Sequence, residues 1–511
     1  MYLENIIEYN HFCNLFLLTK LQYLPLQQQS PQKEYAQIRT NMLNFSEIDF
    51  RQHAVSNFEH ELTSDQMGAL NNFISFLSEN ERHSIFVLSG YAGTGKSSLV
   101  AQLIKSLKIF KVKSRLLAPT GRAAKVFSSF ANEPGFTIHK QIYFSGNEVE
   151  GNKPTMAKNL YKNTIFFVDE CSMIAGFDFN EGSNLLEDLL NYVNSGENCK
   201  LVFMGDNGQL PPVGQEQSPV FSLDFWREHF PFVTIYHAAL EKVVRTSEHS
   251  AILENATYIR SLEDYQTPLF CNVDGKEVIK ITGLEVKEIL EESYDKVGQE
   301  QTILLTMSNK RANKWNNEIR NSLLFREDIL ERGDRMMVVK NNYFWLDPLS
   351  DIGFIANGEI FTITRFIKQE VQYGFEFAHV RIQFLDTTDD KEYDVIILLE
   401  ALTSEAPNVP RVRLKELFFE IEKDFSHERN KRKRYQMILK NPYFNALQVK
   451  YANAITVHKS QGGQWENVFI DYGFIPEEMK TNGYLRWLYT AITRSSKKLF
   501  LVNFPEELIE L

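Results

Sequence analysis

An α/β architecture, parallel sheets with flanking helices plus a small antiparallel insertion, is expected for this chain. Apolar runs alternate with amphipathic helical stretches over residues 60–235, and each run leads into a polar or glycine-containing motif. The alternation returns at Thr302–Leu305, Asn467–Asp471 and Lys498–Val502, and between these pieces residues 333–400 are rich in β-type runs. The chain has 511 residues, too many for one core, so roughly two to four structural units are expected.

Residues 1–45 read as a loosely attached N-terminal extension. Its short apolar patch, Phe12 to Leu18, follows Glu4 and Glu8, where a secretory signal would carry positive charge. Residues 27–35, rich in Gln, read as a flexible linker. The first α/β unit is expected over residues 46–235, with strands at Ile85–Leu88, Arg115–Ala118, Thr164–Val168 and Lys200–Met204. A short insertion is placed at residues 141–160, where Ser145-Gly146-Asn147 is a good turn. The second α/β unit is expected over residues 236–332 and 445–511. Residues 333–444 form the insertion between its halves, with strands Arg335–Val339, Ile360–Arg365, His379–Leu385 and Tyr393–Leu399. Turns at Asn357-Gly358 and Thr387–Lys391 separate these strands, and Arg411–Lys440 reads as helical. The basic run Arg429-Asn430-Lys431-Arg432-Lys433-Arg434 suits either a solvated helix face or a nucleic-acid backbone.

Composition narrows the functional classes. The chain is 43% hydrophobic and 24% charged, as a soluble globular protein should be. A net charge of −11 argues against a generally basic nucleic-acid coat and leaves room for a local groove on an acidic body. Cys13, Cys171, Cys199 and Cys271 form no C-x-x-C pair, which argues against a zinc ribbon or a disulfide framework. That cysteine usage fits a reducing cytoplasm. No stretch approaches the ~20 apolar residues of a membrane-spanning helix, so no membrane partner is expected.

The chemistry is concentrated in three motifs. Gly90-Tyr91-Ala92-Gly93-Thr94-Gly95-Lys96-Ser97 reads G-x-x-x-x-G-K-[ST] and lies between an apolar strand and a helix starting near Lys96. Glycines alone can serve a turn. In this context they let backbone N–H groups approach phosphate oxygens, and the helix N-terminus adds partial positive charge. Lys96 is suited to the β/γ-phosphates and the Ser97 hydroxyl to Mg²⁺, so the loop points to a nucleoside triphosphate. Ile165-Phe166-Phe167-Val168-Asp169-Glu170 is a strand ending in two acids. There Asp169 suits Mg²⁺, and Glu170 suits the orientation and deprotonation of an attacking water. Gly205-Asp206-Asn207-Gly208-Gln209 follows the next strand, and Gln209 suits a contact to the γ-phosphate or the lytic water.

Taken together, these motifs resemble superfamily 1B DNA helicases, the RecD-like and Dda-like branch, over Leu62 to Arg494. Leu62-Thr63-Ser64-Asp65-Gln66 resembles the Q motif, which implies that Gln66 reads adenine. Ala118-Pro119-Thr120-Gly121-Arg122-Ala123-Ala124 and Thr137-Ile138-His139-Lys140 resemble motifs Ia and Ib, which touch DNA in the family. Leu240-Glu241-Lys242-Val243-Val244-Arg245 resembles motif IV. Ala454-Ile455-Thr456-Val457-His458-Lys459-Ser460-Gln461-Gly462 resembles motif V, and Tyr489-Thr490-Ala491-Ile492-Thr493-Arg494 resembles motif VI.

The resemblance implies two RecA-like P-loop NTPase domains, 1A and 2A, and an inserted SH3-like β-barrel, 2B, to which Gly333-Asp334-Arg335-Met336 and Asn357-Gly358-Glu359 correspond. It implies an ATP site formed by Gln66, Gly93, Thr94, Gly95, Lys96, Ser97, Ser98 and Gly462, with Mg²⁺ on Ser97 and Asp169. Lys96, Glu170, Gln209 and two arginine fingers, Arg245 and Arg494, are the implied catalytic set. Pro119, Thr120, Arg122, Thr137, His139, Thr456 and His458 are the implied DNA contacts. The implied activity is ATP-driven 5′-to-3′ movement on single-stranded DNA and unwinding of forked duplex DNA by a monomer. Replication or recombination proteins are the implied partners.

The insertion at 141–160 corresponds to a strand-separating pin, with Tyr143 and Phe144 as a wedge tip or as core. Two positions depart from the family pattern: Gln464 where an acidic residue is common, and Val244 where a polar one occurs in relatives. An ATP-dependent DNA-binding remodeller, or a motor subunit of a nuclease or conjugation assembly, is the competing reading.

Overall fold

The computed structural model describes residues 46–79, 83–143, 155–176, 184–244, 250–262, 265–273, 275–346, 354–385 and 391–510. The N-terminal extension, Phe144, the Ser145-Gly146-Asn147 turn, Arg245 and most of the Thr387–Lys391 turn lie outside the described residues.

The first lobe is built on β1 (Ser84–Gly90), β2 (Lys113–Ala118), β3 (Gly135–Thr137), β4 (Thr164–Val168), β5 (Lys200–Gly205) and β6 (Thr234–Leu240). They form one parallel sheet in the order β3-β2-β4-β5-β1-β6. β4 and β5 are buried at every position, which is why both read as unbroken apolar runs or nearly so. The helices Ser64–Ser78 and Lys96–Ile109 cover one face, with Phe73, Phe76, Leu99 and Leu103 packed against Phe86 and Phe167. The edge strands β3 and β6 were not expected from the sequence. β3 has only three residues, and β6 keeps most of its positions partly or fully exposed.

The second lobe opens with β7 (Val278–Ile281) and β8 (Thr302–Thr306). The chain then leaves it for β9 (Arg335–Val338), β10 (Ile360–Gln372), β11 (Phe375–Phe384), β12 (Glu392–Leu398) and β13 (Val449–Tyr451). It returns for β14 (Ala454–Thr456), β15 (Trp465–Asp471) and β16 (Ser495–Val502). β14-β8-β15-β16-β7 is a second all-parallel sheet, and β12-β11-β10-β9-β13 is antiparallel.

β13 therefore extends the inserted sheet beyond residue 444. Just before it, Leu447 exchanges backbone hydrogen bonds with Ile396 and Leu398, so the sheet curls back on itself. The helical stretch at 411–440 is two helices, Arg411–Asp424 and Lys431–Leu439. The break arises at Asn430, whose side chain caps the second helix by accepting from the N–H groups of Arg432 and Lys433.

The inserted sheet rests on the first lobe through the segment before β10. A Cβ at Gly121 would lie 1.9 Å from that of Ala356, so this approach requires glycine. Lys125 pairs with Glu359 at 2.5 Å, and the Lys140 ammonium lies 4.5 Å over the Phe354 ring. Tyr143 is core: it is buried, and its hydroxyl donates to Asp188 at 2.6 Å. No helix among the described residues is long and apolar enough to cross a membrane.

Candidate nucleotide site and interlobe cleft

β1, β4 and β5 end side by side, and each is followed by one of the three chemical motifs. This is the crevice at the carboxyl ends of strands where open α/β sheets bind ligands. After β1, Gly93 and Gly95 take φ of 80° and 79°, a region that side-chain-bearing residues enter only at a cost. Gly95 caps the helix Lys96–Ile109. Lys96 Nζ donates to the carbonyl oxygens of Gly90 and Tyr91, so the ammonium lies inside its own loop. Thr94 is buried and its hydroxyl donates to Tyr91 O at 2.8 Å. Ser97 and Ser98 open the helix, and both line the cleft.

Gln66 is 2% exposed and braces this loop. Its Oε1 accepts from Thr63 N–H at 3.0 Å and its Nε2 donates to Thr94 O at 3.1 Å. It completes a capping box for the helix Ser64–Ser78, so part of its role is structural. From the other side, Val244 N–H donates to Gly93 O at 2.9 Å. Asp65 accepts from the N–H groups of Glu241 and Lys242, and these bonds hold its carboxyl below the usual carboxylate range.

After β4, Asp169 accepts from Glu170 N–H at 2.8 Å. Glu170 takes φ 52°, uncommon for a residue with a side chain. Burial raises the Asp169 carboxyl above its ordinary range, and the Glu170 charge adds to the effect. Burial also raises Glu170, while Arg494 and then Lys96 pull the other way. Oε2 of Glu170 is buried and has no hydrogen-bond partner, and the same holds for Oε1 of Gln209.

The second lobe closes a cleft of about 1610 Å³ over these groups, and Lys96, Asp169, Glu170 and Gln209 line it together with Gly462 and Arg494. Arg494 is buried at the seam, where Nη1 donates to Gly463 O at 3.2 Å and Nε to Thr490 O at 3.0 Å. Gly462 takes φ 72°, and a Cβ there would lie 3.0 Å from that of Ala123.

Four residues without an assigned role in the sequence reading knit the seam. The Tyr489 hydroxyl contacts Asp206 and the N–H of Ala92. Leu210 N–H donates to Thr490 Oγ1, and Gln461 Nε2 donates to Leu210 O, both at 2.9 Å. Arg486 Nη1 donates to Asn207 O at 2.7 Å. Tyr489 and Thr490 belong to the motif VI segment, which was their only signal.

The residues expected to contact DNA do not all share one surface. Thr120 and Thr137 cap the helices Gly121–Ala131 and Ile138–Ile142, accepting from Ala123 N–H at 3.3 Å and Lys140 N–H at 3.2 Å. Pro119 and His139, beside these caps, are partly exposed. Thr456 ends β14 and His458 follows in the short helix Val457–Ser460. Desolvation lowers the His458 pKa, and burial lowers the neighbouring Lys459 to about 8. Thr137 and Thr456 are themselves buried, so Arg122 departs from the group by its direction: it lines the cleft, and its guanidinium lies against Gly463 and Trp465 of the second lobe.

Comparison with known proteins gives two family matches. An AAA domain matches residues 76–215, and a UvrD-like helicase C-terminal domain matches residues 451–502. An uncharacterized protein of Acanthamoeba polyphaga mimivirus is 25% identical over 510 residues, covering 86% of this chain and 98% of that protein. The ATP-dependent RecD2 DNA helicase of Deinococcus radiodurans is 28% identical over 181 residues, 35% of this chain and 23% of that protein. The ATP-dependent DNA helicase Pif1 of Campylobacter jejuni is 31% identical over 163 residues, 28% of this chain and 34% of that protein. Each of the two helicases is thus matched over less than two thirds of its own length.

Proposed function

This chain belongs to the superfamily 1 helicases of the RecD/Pif1 type, and we propose that it hydrolyses ATP to move 5′-to-3′ on single-stranded DNA and to part a forked duplex. The observation that carries this reading is the convergence of Lys96, Asp169 and Glu170 from one lobe and Arg494 from the other on a single cleft.

The residues fit ATP with Mg²⁺. The left-handed glycines Gly93 and Gly95 leave loop backbone available for phosphate oxygens. Ser97 and Asp169 are the protein oxygens for the metal, and a divalent cation would offset the charge crowding between Asp169 and Glu170. The bound triphosphate supplies a γ-phosphoryl group whose transfer to water is the energy source. Lys96 exchanges its carbonyl partners for phosphate oxygens. Glu170, with its unpartnered Oε2, orients the attacking water and accepts its proton, and Gln209 holds the same water through Oε1. Arg494 offsets the charge that spreads onto the transferring group. Arg245, outside the described residues, is assigned as the second finger from the sequence alone. Gln66 keeps the adenine side of the loop in shape.

DNA lies across both lobes, with Pro119, Thr120, Thr137 and His139 gripping its backbone from the first and Thr456 and His458 from the second. Cleft closure and opening move these two grips past each other. The test is ATP hydrolysis by the purified protein with and without single-stranded DNA. Strong stimulation together with fork unwinding supports the motor. Stimulation without unwinding favours a remodeller, and hydrolysis only with an added protein favours a subunit of a larger assembly.

A further inference from the structure

We infer that Arg122 is a nucleotide-facing residue whose guanidinium serves the terminal phosphate of a nucleoside triphosphate and does not contact the DNA strand. This rests on the ATP site proposed above. Arg122 occupies the first turn of the helix Gly121–Ala131, which packs on the helix Lys96–Ile109 that begins at the phosphate loop. Pro119 and Thr120, just before it, keep partly exposed surface, whereas Arg122 is 8% exposed and lines the cleft with Lys96, Ser97 and Glu170.

Its guanidinium crosses to the second lobe. Cζ lies 4.2 Å over the ring of Trp465, a buried residue at the start of β15. It also lies against Gly463: a Cβ there would come within 2.7 Å of Arg122 Cζ, so the glycine leaves the room that the guanidinium fills. Arg494 Nη1 donates to the carbonyl oxygen of the same Gly463, so the two arginines flank one residue of the seam. A guanidinium stacked on an aromatic face keeps its charge and its planar donor edge, the geometry that grips a phosphate through two hydrogen bonds.

The test compares wild type with Arg122→Gln, using fluorescence anisotropy for a non-hydrolysable ATP analogue, ADP and a labelled single-stranded oligonucleotide, with melting temperature as a control. The expected result is about tenfold weaker binding of the triphosphate analogue, with ADP and oligonucleotide affinities held within about twofold. Equal losses for ADP and the analogue would make Arg122 a structural prop and overturn the inference. So would weakened oligonucleotide binding with a shallower salt dependence and unchanged analogue binding. If Arg122→Gln does not fold, Arg122→Lys keeps the charge and loses the planar donor edge, and the same selective loss for the analogue is expected. A wild-type protein that binds no analogue would instead refute the ATP site itself.

Discussion

Tyr489 of the second lobe donates its hydroxyl hydrogen to Oδ2 of Asp206 in the first at 2.7 Å, and its oxygen accepts the Ala92 N–H of the phosphate loop at 3.0 Å. One hydroxyl thus joins the loop after β1, the loop after β5 and the helix Asn482–Ile492 that leads to Arg494. Burial drives the Tyr489 phenol far above its ordinary pKa, so the hydrogen it donates stays in place at neutral pH. Tyr489→Phe removes both contacts and leaves Asp206 and the loop N–H short of a partner. The expected loss is about 1–3 kcal/mol of stability, read by denaturant unfolding. Stimulation of ATP hydrolysis by single-stranded DNA should fall further than the basal rate. An unchanged stimulation ratio would show that this bridge does not couple the lobes.

Glu170 and Lys96 separate chemistry from binding. Glu170→Gln keeps size and polarity but loses the proton acceptor, so turnover should fall by about 10²-fold or more while an ATP analogue still binds. Lys96→Ala should abolish turnover and weaken the analogue as well. Equal loss of analogue binding in both variants would contradict the assignment of Glu170 as the base.

DNA affinity should depend on pH through the second lobe. Burial lowers Lys459 to about 8, and burial together with the Lys459 charge lowers Lys450 to about 8. Raising the pH from about 7 to 9 therefore neutralises Lys459, next to His458 in the chain, together with Lys450, and single-stranded DNA binding should weaken over that range. The folding term has the opposite sign. Free lysine titrates near about 10.4, so between about 8 and 10.4 the unfolded chain binds more protons, and these two groups favour folding as pH rises. Lys459→Met should flatten the pH dependence of DNA binding. An unaltered slope in that variant would exclude Lys459 from the DNA path.

Asp334 pins the inserted sheet to the second lobe. It is fully buried, accepts from Arg320 at 2.9 and 3.0 Å and from Arg326 at 2.9 Å, and also accepts the Glu331 N–H at 2.8 Å. Asp334→Ala leaves buried guanidinium groups without their acceptor, and the expected cost is about 3–5 kcal/mol by denaturant unfolding. A cost below about 1 kcal/mol would mean that water or another acid takes over.

The two parallel sheets were legible where buried apolar residues run on for strand length. β4, β5, β8 and the apolar parts of β1, β2, β15 and β16 run through the cores, so their sequences carry apolar runs of strand length. β3, β6, β7 and β14 were not legible, because short or edge strands carry little apolar signal. The antiparallel insertion was readable from its alternating runs and turns. The break between its helices lay in Asn430, a capping residue inside what reads as one helical run. Order along the chain located the glycine loop after β1 and the acids after β4, since each is local to one strand end. It could not orient Arg122, whose direction depends on Trp465, far away in sequence. The roles of Tyr489 and Gln461 likewise exist only once the lobes meet.

The most direct measurement is strand separation on forks carrying either a 5′ or a 3′ single-stranded tail, with ATP and with a non-hydrolysable analogue. Unwinding is expected only with ATP and only from the 5′-tailed fork. Equal unwinding with the analogue, or unwinding confined to the 3′-tailed fork, would contradict that expectation.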